Sequence, residues 1–300
     1  MPISRRARFI RWLTGRYIHK IDIPGAPVPK MRKRLDMLGR LVRAAPGVAI
    51  EQTTIAGLPA EWYRPKEAVG GKVLFYLHGG AYVLGSCDSH RKLVTHIARA
   101  AGIEAVLPEY RLAPEHPFPA GLEDAVAVYR SLLGKGYSAG DIVIGGDSAG
   151  GGLSVATMLQ LRRDGVPLPR AAILLSPFLD LTASGDSVST RAEREPWFHA
   201  EDIRVVIRYY CPGADLRNPL LSPVFANVAG LPPALIHVGD DEILLSDSTR
   251  FADKLEAAGV EVELEIWPGM WHVFQLFVGK MPESRVAIGK IGDYISRRTG

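Results

Sequence analysis

The sequence predicts an α/β fold with a mostly parallel sheet and helices on both of its faces. Short apolar runs, such as residues 142–144 and Ala171–Leu175, are typical of strands that are buried on both faces. Segments with apolar residues at helical spacing separate these runs, and this alternation indicates parallel strands joined by helices. A chain of 300 residues, 47% of them apolar and 23% charged, is long enough for one such domain with a small accessory cap.

The N-terminal residues 1–45 are predicted to form part of that cap, and residues 46–300 the catalytic domain. Helical spacing is found at 5–19 and 29–44, and the intervening residues 23–27 contain two prolines and a glycine. Residues 1–43 hold twelve Lys or Arg and two Asp, a net charge of +10, whereas the rest of the chain carries −6. We interpret this charge as a solvated helix face rather than a surface for an anionic membrane or nucleic acid.

Accordingly, no nucleic-acid partner and no stable membrane insertion are expected. The apolar block near the N-terminus is too short and interrupted for a signal peptide, so a cytoplasmic location is the expectation. The two cysteines, Cys87 and Cys211, are expected to be reduced thiols, because neither has a context that suggests a zinc site or a disulfide framework.

The first half of the chain is expected to open with an antiparallel edge pair of strands, joined by a turn at Gly57, and then to alternate. The predicted strands are Val48–Ile55, 59–63, 72–77, 104–107 and 142–144. The predicted helices are 90–101, 122–133 and the segment from Leu153 to Leu161.

The second half continues the alternation around a long insertion. Strands are predicted at Ala171–Leu175, 234–238 and 260–267, and helices at 196–210, 246–258 and 283–298. The insertion, at about 178–227, is expected to complete the cap, with an exposed and mobile stretch at 182–195. Within it, Phe178, Trp197 and Phe198 either line an acyl pocket or belong to the core of the cap.

The most informative stretch is Gly146-Asp147-Ser148-Ala149-Gly150, which lies between a predicted strand and a predicted helix. This is the G-x-S-x-G pattern of a nucleophile elbow, a sharp turn that exposes the serine hydroxyl. The pattern by itself also fits a glycine-rich turn with an incidental serine. Dinucleotide and phosphate loops are excluded, because the glycine spacing is wrong and no lysine follows.

A serine nucleophile needs a base to take its proton and a carboxylate to orient that base. Three histidines follow Ser148: His199 in the insertion, His237 inside an apolar strand, and His272 in the loop after the last strand. His272 is the predicted base and His237 a core residue. The acid is expected in the trio Asp240, Asp241 and Glu242, at the end of the preceding strand, which gives the order serine, acid, histidine.

A second glycine-rich loop follows the strand at 72–77, with the sequence His78-Gly79-Gly80-Ala81-Tyr82. Glycines there allow backbone N–H groups to face a ligand, as in half of an oxyanion hole. A plain tight turn is the alternative. His78 is interpreted as a structural residue that braces this loop.

Together these motifs resemble the hormone-sensitive-lipase family of esterases, the bacterial group called family IV. The resemblance is carried by His78-Gly79-Gly80, residues 110–120, residues 146–151 and His272-Val273-Phe274. It implies a capped α/β-hydrolase with an eight-stranded sheet that hydrolyses carboxylic esters without a cofactor or metal, often as a homodimer. It also implies an oxyanion hole made by the N–H groups of Gly79, Gly80 and Ala149. This chain departs from the family pattern at Ala81, where a third glycine is common.

The family register places the triad acid at Glu242, where the family usually has Asp, and Asp241 is the alternative. The sequence therefore predicts a Ser148–His272–Glu242 triad that cleaves short-acyl esters through an acyl-enzyme. The alternatives are an amide or formamide hydrolase, a long-chain lipase, or a ligand-binding protein that has kept the fold without the reaction.

Overall fold

The computed structural model describes residues 3–18 and 27–300, and in these residues the chain forms one eight-stranded sheet flanked by helices. Two features of the sequence prediction lie outside the described residues. They are His19, the end of the first predicted helix, and the predicted break at 23–27, of which only Pro27 is described. The α/β-hydrolase fold expected from the resemblance is confirmed.

The sheet has the strand order β1-β2-β4-β3-β5-β6-β7-β8. β1 and β2 pair antiparallel, β2 also pairs antiparallel with β4, and the remaining pairs are parallel. The predicted edge pair is therefore confirmed. The strands are β1 Val48–Ile55, β2 Leu58–Pro65, β3 Val69–Leu77, β4 Ile103–Pro108, β5 Ile142–Asp147, β6 Ala171–Leu175, β7 Ala234–Gly239 and β8 Val262–Trp267.

Helices cover both faces of the sheet. They are α1 Arg5–Leu13, α2 Val28–Arg40, α3 Cys87–Ala101, α4 Ala120–Gly134, α5 Ala149–Arg163, α6 Ser187–Thr190, α7 Ala200–Tyr210, α8 Leu245–Ala257 and α9 Pro282–Thr299. A π-helical turn, Thr14–Ile18, extends α1. Both cysteines are free and buried.

The alternation of side chains along β3 shows how the two cores are separated. Val73, Phe75 and Leu77 point into one buried cluster, which also holds side chains of α4, α5 and α8. Leu74 and Tyr76 point to the opposite face, where they pack with α3 and α9. Both faces are covered, which fits the predominantly apolar sequences of the central strands. The carboxyl edge of the sheet is where loops can carry function.

The two N-terminal helices attach to different parts of the body. Ser4 caps α1 and also binds Glu283 at the start of α9, with its N–H 2.6 Å from Oε1. α2 lies against α3, where Gly39 is so close that a Cβ would lie 2.4 Å from the carbonyl oxygen of Asp88.

The insertion after β6 is more ordered than the sequence suggests. It contains α6 and α7, and parts of the stretch expected to be exposed are buried, including Ser187 and Glu195, which is 3% exposed. Exposure of the whole stretch 182–195 was therefore a wrong expectation. Polar side chains can be buried in this stretch because they are hydrogen-bonded. The Ser187 hydroxyl, for example, donates to the carbonyl of Ile243.

None of the helices in residues 3–18 and 27–300 combines the length and the apolar character that a bilayer span requires.

Candidate active site

Ser148 lies on a strained turn between β5 and α5. Its φ is 51° and its ψ is −122°, a conformation that L-residues rarely adopt. The turn is held by two backbone hydrogen bonds: the Ser148 N–H donates to Leu175 at 2.8 Å, and the Phe178 N–H donates to Ser148 at 2.9 Å. A Cβ on Gly150 would lie 2.0 Å from the carbonyl oxygen of Leu77, so this position accepts only glycine. The sequence pattern of a nucleophile elbow thus has the geometry of one.

The structure brings Ser148, His272 and Glu242 together. Nε2 of His272 lies 2.9 Å from Oγ of Ser148, and Nδ1 lies 2.9 Å from Oε2 of Glu242. A carboxylate beside Nδ1 favours the tautomer with the proton on that nitrogen, which leaves Nε2 free to accept. This arrangement can move the hydroxyl proton from Ser148 to the imidazole.

Glu242 is fully buried, and both of its oxygens are used. Oε1 accepts from the Ser176 hydroxyl at 2.9 Å and from the Gly239 N–H at 2.5 Å, while Oε2 faces His272. Asp241 points elsewhere: it pairs with Arg11 of α1 and lies 3.3 Å from Arg194. Of the two carboxylates left open by the sequence, Glu242 is the one that contacts the histidine.

The charge of Glu242 also sets the proton affinity of His272. Burial opposes protonation of the ring, but the hydrogen bond and the negative charge of Glu242, with Glu195 and Asp147 further off, raise the pKa of His272 above its ordinary value. An imidazolium formed during proton transfer is therefore stabilised in place.

The backbone N–H groups around Ser148 include free donors. Within the described part of the chain, those of Gly80, Ala81 and Ala149 have no hydrogen-bond acceptor, and Gly80 and Ala81 line the cavity beside Ser148. The N–H of Gly79 instead donates to Oδ1 of Asp147 at 3.2 Å. Gly79, whose N–H is a predicted oxyanion donor, thus has this N–H bonded to a buried carboxylate, whereas the predicted donors Gly80 and Ala149 have theirs free.

The proline-rich loop 110–120, whose role spacing did not explain, braces the loop after β3. The Tyr110 hydroxyl donates to the His78 carbonyl at 2.7 Å, and the Tyr110 ring stacks on the His78 ring with centroids 4.3 Å apart. Burial lowers the pKa of His78 to about 3, so the ring is neutral, and its Nδ1 lies 2.9 Å from the Gly79 carbonyl. His78 is a structural residue, as predicted.

Asp147 ties the two glycine-rich loops to each other. Its Oδ1 accepts from the Tyr76 hydroxyl at 2.9 Å as well as from Gly79, and its Oδ2 lies 3.3 Å from Nε2 of His90. Burial would favour the neutral acid, but His90 and the hydrogen bonds lower the pKa of Asp147, so the carboxylate stays charged. Nothing in the sequence pattern pointed to this network.

A cavity of about 150 Å³ opens beside Ser148, with mostly apolar walls. Trp197 and Phe198 line it, which is one of the two roles that the sequence left open for them. Phe178 takes the other role: it packs edge-on behind Phe198, with ring centroids 6.1 Å apart, and belongs to the core. Its lining residues are Met31, Leu35, Gly80, Ala81, Leu84, Ser89, His90, Asp147, Ser148, Trp197, Phe198, Asp202, His272, Val273 and Leu276.

The other histidines after Ser148 lie apart from it. His237 is fully buried inside β7, as predicted, and burial lowers its pKa to about 3. His199 lies at the N-terminus of α7. Two polar residues beside His272 were missed at the level of sequence: Ser176, whose Oγ accepts from the Val273 N–H at 3.1 Å, and Glu195. Neither belongs to a recognisable motif.

Comparison with known proteins gives concordant results. The profile of a family described by its alpha/beta hydrolase fold matches residues 74–276. An acetyl-hydrolase of Streptomyces hygroscopicus is 44% identical over 247 residues, which is 82% of each chain. An esterase of Acinetobacter venetianus is 37% identical, over 88% of this chain and 87% of its own.

Solved structures extend the similarity to nearly the whole chain. An esterase/lipase from an uncultured bacterium has a TM-score of 0.93 at 43% identity and covers 99% of both chains. An esterase from the bacterial hormone-sensitive lipase family has a TM-score of 0.95 at 39% identity, with complete coverage of both.

Proposed function

The chain belongs to the alpha/beta hydrolase fold family, in its hormone-sensitive-lipase group, and is a carboxylesterase; from this premise we propose that it hydrolyses short-acyl esters with Ser148, His272 and Glu242 as its triad. One observation carries the proposal. The Ser148 hydroxyl, the His272 ring and the Glu242 carboxylate form a continuous hydrogen-bonded chain, with 2.9 Å at each step, at the wall of an apolar cavity.

In the acylation step, Oγ of Ser148 attacks the ester carbonyl carbon while Nε2 of His272 takes the hydroxyl proton. The carbonyl oxygen becomes an oxyanion, for which Gly80, Ala81 and Ala149 offer unpaired backbone N–H groups. The imidazolium then gives its proton to the departing alkoxide, and the acyl group stays on Ser148. Glu242 keeps the ring oriented and stabilises its charge throughout.

In the deacylation step, water attacks the acyl carbon from the side that the alcohol has left. His272 takes a proton from this water, the same N–H groups stabilise the second oxyanion, and the Ser148 oxygen leaves with the proton that His272 returns. The products are a carboxylic acid and the free enzyme. The cycle uses only side chains and backbone groups described above.

The cavity supports the short-acyl preference. A volume of about 150 Å³ is comparable to that of an apolar protein cavity that binds benzene. Such a space admits an acetyl or butyryl chain, whereas a long acyl chain requires the cap to move. We expect kcat/KM to peak at acetate or butyrate in a series of p-nitrophenyl esters, and a maximum at octanoate or longer contradicts the preference.

We also propose that the N-terminal helices and the insertion together form the cap. α2 contributes Met31 and Leu35 to the cavity wall, and the insertion contributes Trp197 and Phe198. That both segments line one cavity supports a cap made of residues 1–45 and the insertion at about 178–227.

The central test is Ser148→Ala, assayed on p-nitrophenyl acetate. Loss of the nucleophile is expected to lower kcat by at least about 10⁴-fold, with the fold unchanged by circular dichroism. The wild type is expected to bind a fluorophosphonate probe covalently at Ser148. Retained turnover in the variant rejects the assignment, and an unlabelled, inactive wild type favours a ligand-binding role.

A further inference from the structure

Glu195 is a buried carboxyl group that the proposed reaction does not use. It lies in the insertion, between α6 and α7, and is 3% exposed. A buried carboxyl group is costly unless its oxygens are hydrogen-bonded, so its partners identify what holds it there.

Those partners lie on two different walls of the active site. Oε1 of Glu195 accepts from the backbone N–H of Trp197 at 2.9 Å, and Oε2 accepts from the backbone N–H of His272 at 3.2 Å. Trp197 belongs to the cap side of the cavity, and His272 carries the base. The same two segments meet again where the Phe198 ring stacks on the His272 ring, with centroids 5.6 Å apart and an interplanar angle of 25°.

The loop that carries His272 needs such support. Val273, directly after the histidine, has φ 47° and ψ 45°, a left-handed conformation that is unfavourable for a β-branched residue. Strain of this kind persists only where surrounding contacts hold it. The N–H of Val273 is held by Ser176, and the N–H of His272 by Glu195. The N–H groups of two consecutive residues are therefore anchored by two different segments of the chain.

We propose that Glu195 is a positioning residue for the base: it fastens the backbone of His272 to the cap wall and places a second carboxyl group beside the imidazole. The inference rests on the proposed function, in which His272 moves the proton. Because the Glu195 side chain binds both the cap wall at Trp197 and the backbone of His272, correct placement of the base depends on the position of the cap.

The electrostatic surroundings of Glu195 are mixed. Burial raises the pKa of its carboxyl group to about 8, the nearby His272 lowers it, and the charge of Glu242 raises it. In turn, an ionised Glu195 raises the pKa of His272. On its other side Glu195 borders an open groove with further charged or titratable groups, namely Arg8, Arg11, Arg16, Glu193, Arg194 and His199.

The test compares Glu195→Gln and Glu195→Ala with Glu193→Gln, a matched exposed glutamate two positions earlier. In Glu195→Gln one oxygen becomes an NH₂ group, which cannot accept from a backbone N–H, so one of the two hydrogen bonds is lost. Turnover of p-nitrophenyl acetate is measured per active site, counted by complete fluorophosphonate labelling, so that unfolded protein does not contribute.

We expect kcat per labelled site to fall about 10-fold in Glu195→Gln and up to about 100-fold in Glu195→Ala, with KM changed less. A fall confined to kcat distinguishes misplacement of the base from a collapsed pocket, which would raise KM as well. Glu193→Gln is expected to match the wild type in both measurements.

Per-site kcat within twofold of wild type in both Glu195 variants, or a KM that rises as much as kcat falls, overturns the proposal. If both variants label poorly because they fold poorly, Glu195→Asp, whose shorter arm withdraws the carboxyl group from the two N–H groups, is measured in the same way. Its per-site kcat must then fall more than twofold, with a smaller change in KM. Ser148→Ala is assayed alongside: if it keeps its activity, the proposed function fails, whatever the Glu195 variants do.

Discussion

At the residue scale, side-chain direction determines which of two adjacent carboxylates contacts the histidine. Asp241 and Glu242 are neighbours after β7, yet one pairs with Arg11 on α1 and the other contacts His272. The longer arm of Glu242 also accepts from Ser176 and from the Gly239 N–H. A glutamate can therefore take the place that the family usually gives to aspartate.

The two carboxylates are expected to respond differently to removal. Glu242→Ala should lower kcat by about 10³- to 10⁴-fold, because His272 loses the group that selects its tautomer and stabilises its charge. Asp241→Ala should keep kcat within a few-fold and lower the melting temperature, since it breaks a contact between α1 and the body. Steady-state kinetics on one short ester, with thermal melts, measures both. A collapse of activity in Asp241→Ala alone would reverse the assignment.

The raised pKa of His272 predicts how activity changes with pH. The base must be neutral to accept a proton, so activity is present above its pKa and is lost as the pH falls through it. Because Glu242 raises this pKa, the acidic limb of kcat/KM is expected to have its midpoint above 6.5, the ordinary value for histidine. Rates measured in buffers of constant ionic strength give the midpoint, and a value below 6.5 is incompatible with this environment.

At the scale of elements, the site is built from loops at the carboxyl ends of the strands. The loop after β3 supplies N–H groups, the turn after β5 carries Ser148, and the loops after β7 and β8 carry Glu242 and His272. Each loop is braced by another, for example by Tyr110 on His78. Precision at the site therefore depends on contacts between loops that are distant in sequence.

A substitution at Gly80 tests whether the conformation of the loop after β3 is needed for activity. Its φ is 120°, and a Cβ there would lie 2.3 Å from the carbonyl oxygen of Leu84. Gly80→Ala is expected to displace the free N–H groups and to lower kcat by about 10²- to 10³-fold, the loss associated with an oxyanion donor. The control is Gly134→Ala at the end of α4, where a Cβ meets nothing within 4 Å. Equal activity of the two variants would show that the loop tolerates a side chain.

At the scale of the whole molecule, the two faces of the sheet are covered by different sets of helices. One face packs α4, α5 and α8 against the sheet, and this core also includes Met31 of α2 and Phe198 of the insertion, which border the site. The other face is closed by α3 and α9. Homodimer formation stays a prediction, to be measured by sedimentation of the purified chain.

A substitution in the α3–α9 contact is expected to lower stability without changing the activity of the site. A Cβ on Gly292 would lie 2.6 Å from the backbone carbonyl of Ala100, so Gly292→Ala overpacks this contact. The free energy of unfolding is expected to fall by about 1–3 kcal/mol, with per-site kcat unchanged. Gly289→Ala on the same helix, where a Cβ meets nothing within 4 Å, is the control. A thermal melt compares them, and equal melting temperatures would refute the close contact.

Sequence reasoning located most of the elements because their signals are local. The apolar run of β6 and the alternation of β1 are complete within a few residues, and both strands have the predicted bounds. It failed at Glu195, since a charged residue in a polar stretch reads as exposed unless its distant partners are known. It also did not anticipate that the N–H of Gly79, a predicted oxyanion donor, is hydrogen-bonded to the buried carboxylate of Asp147.

The sequence by itself determined the α/β class, the serine at a glycine-flanked turn, and the histidine and acidic residues that follow it in the chain. Periodicity and turn chemistry are short-range properties, so they can be read without coordinates. Only the tertiary structure decided that Glu242 rather than Asp241 contacts His272, that Ala81 rather than Gly79 keeps a free N–H, and that Glu195 holds the loop of the base. These outcomes depend on side-chain directions and long-range hydrogen bonds, which are set when segments up to 230 residues apart in the chain pack together.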